Sequence, residues 1–245
     1  MDIKNKFLEL TKKTYPNPEE IGVLEYLPND LKEDGFGNYY KVIDGDEHTM
    51  FTSHLDTADF SQSDVEHVFF ESDNGDLYVE TDGTTILGAD DKAGVTIMLN
   101  MIEKEVPGIY YFFIGEESGM IGSGRVKKEI FSNKFENLEH IKNVENCISF
   151  DRRYYNSIIT RQMGRDCCKD DFAERLIEGY SEVGLSMKKD SRGIYTDSAS
   201  FMDIFPNCTN ISVGYSNEHS YREKQNLTFL EKIANASCEV NWKKI

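Results

Sequence analysis

The segment GIYYFFIG at 108–115 holds the longest apolar run of the chain, and it constrains the fold more than any other feature. The run IYYFFI at 109–114 cannot alternate between a core face and a solvent face. A strand here must be covered on both sides, as in a sheet with helices on each face. It is far too short for a bilayer-spanning helix, which needs roughly 20 residues. Two acids, Glu116 and Glu117, follow it directly.

The remaining pattern agrees with a covered sheet. Helical periodicity at Ile3, Phe7 and Leu10, and again in PEEIGVLEYL, precedes the glycine-punctuated DGFGN at 34–38. NYYKVI, TMFTSHL, HVFF and LYVE have the length and the β-branched or aromatic content of strands, with DNGD at 73–76 as a turn. Beyond Gly88 the pattern predicts a helix over 91–104, the buried strand, a helix near 122–131 and a strand at NCISFD. A helix over DDFAERLIEGYSEV, a short helix after Thr196, a strand at NISVGY and a C-terminal helix from Leu227 complete the prediction. The expected fold class is α/β, a three-layer sandwich whose mixed, mostly parallel central sheet is flanked by helices. No repeat, low-complexity tract or linker interrupts residues 1–245, so one domain is expected.

Charge narrows the partners. A net charge of -17 repels a nucleic-acid backbone and an anionic membrane surface, and it suits either simple solubility or the gathering of divalent cations. The opening MDIKNKFLELTKK is charged throughout and reads as an amphipathic helix rather than a secretory signal, so a soluble, cytoplasmic protein is expected. The cysteines, Cys147, Cys167, Cys168, Cys208 and Cys238, are odd in number and lack CxxC spacing. They are expected to be free, buried or half-buried thiols without chemistry of their own. His48, His67 and His140 lie among polar residues and are expected at the surface.

Polar residues gather where the expected buried strands end: His54 and Asp56, Asp90, Glu116 and Glu117, Asp151, and His219 a little after NISVGY. In open α/β sheets that edge forms ligand crevices. Each residue alone has an ordinary reading: HxD as a surface turn, paired glutamates as a solvated helix face, Asp90 and Asp91 as N-caps, Asp151 as a partner of Arg152, His219 as a loop residue. Together, imidazoles and carboxylates of this number suit two divalent ions about 3.5 to 4 Å apart, sharing one carboxylate and an activated water.

In order along the chain, SHLDTAD, LGADDKAG, IGEESGMIGS, SFD, TDSASF and NEHS resemble the metal-site motifs of the co-catalytic zinc peptidases, which include tripeptidase T and the glutamyl and leucyl aminopeptidases. LGADDKAG followed by GEES is the most specific of these strings and SFD the least. The resemblance implies that His54 and Asp151 hold one metal, that Glu117 and His219 hold the other, and that Asp90 bridges them. It further implies that Asp56 orients His54, that Glu116 is the general base, that the bond from Asp90 to Asp91 is cis, and that Asp197 lies near the substrate pocket. Lys92 and Gly94 are expected to serve the helix start and its close packing. The implied cofactors are two divalent ions, zinc first, with cobalt or manganese also suitable.

Arg152 and Arg153 depart from the small or apolar residues expected after the metal-binding aspartate; a substrate carboxylate or a structural salt bridge would account for them. The stretch between Asp151 and Asp197 leaves no room for the lid domain of tripeptidase T, so the compact, lid-free aminopeptidase form is expected. The implied activity is aminopeptidase action on peptide or aminoacyl substrates through a bridging water. A carboxypeptidase or an N-acyl amino-acid deacylase on the same metals, with Arg152, Arg153 or Arg161 as carboxylate clamp, remains an alternative. So does a non-catalytic metal-binding protein of the same fold. The oligomeric state is left open, with a monomer compatible.

Overall fold

The computed structural model describes residues 1–245. In chain order its strands are β1 (Lys32–Glu33), β2 (Tyr39–Ile43), β3 (Thr49–His54), β4 (His67–Glu71), β5 (Leu77–Thr81), β6 (Gly108–Phe113) and β7 (Asn146–Arg152). They continue with β8 (Ser157–Ile159), β9 (Arg161–Gln162), β10 (Arg165–Asp166), β11 (Lys188–Asp190), β12 (Asn207–Ser212), β13 (Tyr215–Ser216) and β14 (Lys224–Asn226). The α-helices are α1 (Ile3–Leu10), α2 (Ala89–Glu103), α3 (Ile121–Asn133), α4 (Asp170–Glu182) and α5 (Leu227–Glu239).

The central sheet runs β1-β2-β6-β3-β7-β12-β8-β11. Its middle, from β6 through β3 and β7 to β12, is parallel, and antiparallel pairs occur outside that middle. Every residue of β3 and β6 is buried, as the apolar run requires. Within β6 the side chains divide by parity: Tyr110 and Phe112 join one core with α1, α2 and α5, while Ile109, Tyr111 and Phe113 join another with α3. The sheet is thus the middle of three layers. β4 and β5 do not extend it; with β13 and β14 they form a separate four-stranded sheet, β13-β14-β5-β4. No helix is long and apolar enough to cross a membrane.

Close packing of α2 against the sheet depends on Gly94. A Cβ there would sit 1.9 Å from the carbonyl oxygen of Phe150 on β7, so the helix start meets the strand backbone directly. Lys92, two residues earlier, is buried and donates from Nζ to the carbonyl oxygens of Leu55 at 2.6 Å and Asp56 at 3.3 Å. It therefore ties the end of β3 to the start of α2.

Two local expectations change. PEEIGVLEYL forms a 3-10 helix over Glu19–Tyr26; its buried residues, Glu20 and Val23, are three apart, which matches a three-residue turn. The strand expected at NISVGY begins earlier, at Asn207, because the polar NCTN is wholly buried and pairs in parallel with β7. It stops before Gly214, whose φ of +98° breaks the extended run. All five cysteines are free: Cys147, Cys167 and Cys208 buried, Cys168 and Cys238 half-buried.

His140 and His67 are not surface residues as expected. His67 is half-buried, with Nε2 3.0 Å from Thr11 Oγ1. His140 stacks on Tyr40 at 3.9 Å between ring centroids, because the aromatic face of β2 and β6 offers an apolar bed. Burial lowers its pKa to about 4. The unfolded chain therefore binds a proton here that the fold does not between about pH 6.5 and about 4, so stability falls as pH drops through that window. His140→Phe keeps the stack, and at pH 5 it should recover about 1 kcal/mol relative to pH 7 once partial exposure is allowed for. Urea midpoints of both proteins at the two pH values check this; parallel pH profiles would refute it.

Candidate metal and active site

The sheet brings the motif residues together at the C-terminal ends of its central strands. His54 ends β3, Asp151 lies near the end of β7, and Glu116 and Glu117 follow β6. Asp90 sits at the non-helical start of α2. His219, on the loop before β14, has a left-handed φ of 60°. The Asp90–Asp91 peptide bond is cis.

Two groups of candidate ligand atoms, one from each residue, lie within 4.8 Å of one another: His54 with Asp90 and Asp151, and Asp90 with Glu117 and His219. Asp90 belongs to both. Its Oδ1 is 3.1 Å from His54 Nε2 and its Oδ2 is 3.0 Å from His219 Nε2, so each carboxylate oxygen faces a different imidazole. His54 Nε2 is also 3.8 Å from Asp151 Oδ1, and His219 Nε2 is 2.8 Å from Glu117 Oε1. A third group joins His54 with Glu116 and Glu117.

This donor set fits a pair of dications. Glu117 Oε1 is buried and makes no hydrogen bond despite the imidazole nitrogen 2.8 Å away, the arrangement of two donors turned toward a common centre rather than toward each other. The electrostatics agree. Burial raises Asp151 well above the usual carboxylate range, with the charges of Asp90 and Asp91 adding to it. Burial likewise pushes Glu116 up to about 9, helped by Asp197, Glu117 and Asp90. The hydrogen bond to Asp90 and the neighbouring negative charge of Glu117 raise His219 to about 11. Burial opposes ionisation of Asp90, but the imidazoles of His219 and His54 hold its pKa below the ordinary value. Crowded anions of this kind call for a cation.

Surrounding contacts fix the donors. Asp56 Oδ1 lies 3.2 Å from His54 Nδ1, while the two Asp56 oxygens accept the backbone N–H groups of Glu116 at 2.9 Å and Glu117 at 3.0 Å. Asp56 thereby sets both: the imidazole, whose Nδ1 is also 3.1 Å from the Asp56 carbonyl oxygen, and the loop carrying the two glutamates. Asp91, beside Asp90, accepts from the Ser53 hydroxyl and from Gly94 N–H at 3.0 Å. The Tyr215 hydroxyl donates to Asp151 O at 2.7 Å and Oδ1 at 3.1 Å, and Asp151 N–H donates to Asn210 Oδ1 at 2.9 Å.

Glu223 lies outside every motif, yet its fully buried carboxylate accepts N–H groups from Leu87 at 3.0 Å, Gly88 at 2.8 Å and Asp90 at 3.0 Å. It holds the loop that presents Asp90. Glu223→Ala would leave three buried donors without an acceptor and should destabilise the protein by about 2–4 kcal/mol. A fall in urea midpoint corresponding to less than about 1 kcal/mol would show that water replaces it.

The cluster opens on a cleft of about 280 Å³ whose lining includes Asp90, Glu116, Glu117, Asp151, Arg152 and His219. Asp197 is not part of that lining. It is 1% exposed, at the start of a 3-10 turn whose five residues are all buried, and neither carboxylate oxygen has a partner. Burial pushes it up to about 7. Arg161 stays exposed and pairs with Asp166 at 3.3 Å.

No family model matches the chain. The uncharacterized protein YqjE of Bacillus subtilis (strain 168) is 35% identical over 155 residues, a match that takes in 53% of this chain and 40% of that protein's length. Among solved structures, aminopeptidase PepT from Bacillus cereus is similar with a TM-score of 0.74 and 18% identity, over 97% of this chain and 96% of the other. A tripeptidase from Staphylococcus aureus is similar with a TM-score of 0.70 and 18% identity, over 97% and 96%. The TET1 peptidase of Pyrococcus horikoshii, which can assemble into a tetrahedron or a large octahedral shell, is similar with a TM-score of 0.66 and 15% identity, over 97% and 98%. From one end to the other, this chain has the fold of the PepT and TET peptidases, the fold that its six motifs imply.

Proposed function

We propose that the chain is a metal-dependent hydrolase of peptide bonds, acting as an aminopeptidase on peptide or aminoacyl substrates. The observation that carries this reading is the position of Asp90, common to two ligand groups, with Glu116 beside them on the cleft. His54 and Asp151 would hold one ion and Glu117 and His219 the other, with Asp90 between; zinc suits these donors, as do cobalt and manganese. Two such ions, when bound, supply a Lewis acid for the scissile carbonyl and a source of hydroxide near neutral pH.

The side chains do the rest. Glu116 takes a proton from the attacking water and returns it to the leaving amine, a shuttle for which a buried carboxyl with a raised proton affinity is suited. Asp56 keeps His54 in one tautomer and fixes the backbone of Glu116.

A panel of aminoacyl p-nitroanilides and dipeptides, each with a free or an acetylated N-terminus and assayed with and without added zinc or cobalt, tests the reading. Metal-dependent release from free N-termini alone is expected. Preference for acetylated substrates would point to the carboxypeptidase or deacylase alternative. Absence of turnover by metal-loaded protein would leave a non-catalytic metal binder.

A further inference from the structure

The cleft lining is rich in acids, including Asp90, Glu116, Glu117, Asp151 and Glu218, in a chain whose net charge is -17. Two guanidinium groups interrupt it directly after Asp151. Neighbouring residues of a regular strand point to opposite faces. Here Asp151 and Arg152 line one cleft, because the β7–β12 register slips between Asn210 and Ser212 and the Asp151 N–H goes to the Asn210 side chain. Such slips re-aim side chains beside active sites.

The two arginines are not equivalent. Arg153 Nη1 meets Glu218 Oε1 at 2.7 Å, and its guanidinium lies 5.2 Å from the Tyr154 ring centroid, so its charge is answered within the protein. Arg152 has no comparable partner. Its Nη2 donates to the carbonyl oxygen of Arg192 at 3.2 Å. The acid beside it, Asp190, is 3.9 Å away and already accepts from Arg192 Nε at 2.9 Å, Arg192 Nη2 at 3.0 Å and the Ser157 hydroxyl at 3.0 Å. The Arg152 side chain is only 12% exposed, and its Nε, like that of Arg153, is buried without any acceptor; what sets Arg152 apart is that no carboxylate of the protein comes closer to it than Asp190 at 3.9 Å. An unmet donor on a desolvated cation is unfavourable, and an anionic acceptor entering the cleft would relieve it. The planar fork of arginine matches a carboxylate.

We infer that Arg152 is a specificity-determining residue that clamps a carboxylate of the substrate, so that the cleft selects substrates carrying one near the scissile amide. The inference rests on the hydrolase reading for the nature of that substrate. The carboxylate has two possible sources, the free C-terminus of a very short peptide or the side chain of an acidic N-terminal residue. A neutral substrate gives Arg152 nothing to pair with.

Two matched pairs separate these sources: Leu-Gly against Leu-glycinamide, and glutamyl against glutaminyl p-nitroanilide, in steady-state assays of zinc-loaded wild type, Arg152→Met and Arg152→Lys. In one pair, wild-type kcat/KM should favour the carboxylate-bearing member by about tenfold or more. Arg152→Met should collapse that ratio through KM, and Arg152→Lys, which keeps the charge, should retain part of it. The pair that responds names the source. Equal kcat/KM within both pairs, or a ratio that survives in Arg152→Met, overturns the assignment. If Arg152→Met does not fold, an undiminished ratio in Arg152→Lys overturns the bidentate clamp. Calorimetric binding of the four compounds to zinc-loaded Glu116→Gln, with and without Arg152→Met, poses the same question without turnover. A wild-type chain that cleaves none of the four fails the hydrolase reading, while the affinity ratio still decides the role of Arg152.

Discussion

Glu116→Gln is expected to lower kcat by about 10²- to 10⁴-fold while metal content, measured by elemental analysis, stays at the wild-type level. The two adjacent glutamates are held by the same carboxylate, Asp56, through backbone N–H bonds of 2.9 and 3.0 Å, so they share one rigid loop. They differ in where their carboxylates go. Glu117 Oε1 faces His219 Nε2 at 2.8 Å and stands in a ligand group with Asp90, whereas Glu116 joins only the group with His54 and Glu117. Glutamine keeps the size of glutamate and its carbonyl oxygen but cannot carry the proton. Burial raises the Glu116 pKa to about 9, and cations at the neighbouring donors would bring it back toward the range where a base accepts and releases a proton at neutral pH. Wild-type turnover in the variant would remove Glu116 from the mechanism and leave its neighbours as ligands without an identified base.

What could be read beforehand divides along a physical line. β6 was legible because a strand buried on both faces can read as one apolar run, and β3 and β7 by their short stretches of β-branched, aromatic and aliphatic residues; His54, Glu116 and Asp151 stand at or just beyond the ends of these segments. Among the covering helices, α1 followed from its periodicity, with Ile3, Phe7 and Leu10 buried on one face. Strands of two or three residues, such as β8, β11 and β13, are too short to show any period, and they exist because neighbouring backbone offers them partners. The polar NCTN resembled a loop because its side chains find partners inside; Asn207 Nδ2, for one, donates to Asn146 Oδ1 at 2.9 Å. The same limit applies at the site. Metal-type donors announce themselves by chemistry and spacing, but Glu223, Tyr215 and Asn210 act through hydrogen bonds across more than fifty residues of sequence, and only the fold brings them to Asp90 and Asp151. Arg152 was visible as an oddity. That its Nε lacks an acceptor became visible only with the neighbouring Asp190, Arg192 and Ser157 in place.

Chelation is expected to reverse the sign with which Asp151 acts on stability. In metal-free protein, burial and the charges of Asp90 and Asp91 raise its folded pKa well above the ordinary 3.8. Above that ordinary value the fold then binds more protons than the unfolded chain, so stability declines as pH rises toward the folded pKa. His54 and His219, both raised, act in the same direction, each contribution being lost as pH climbs through its folded pKa. Asp90, lowered, loses its contribution only as pH falls below the usual carboxylate range. Chelated wild type should therefore have a lower urea midpoint at pH 8 than at pH 5. Asp151→Asn should flatten that slope and stabilise the chelated protein at pH 8 by about 1–3 kcal/mol, because it removes an uncompensated buried charge. With metal at about a thousand times its dissociation constant, wild type should gain about 4 kcal/mol, and Asp151→Asn, with a weakened donor, should gain less. The variant would thus be the more stable protein without metal and would lose that advantage with it. If Asp151→Asn shifted the chelated and the metal-loaded proteins equally, the carboxylate would be an ordinary buried polar group, and the idea that its neighbours converge on cations would fail with it.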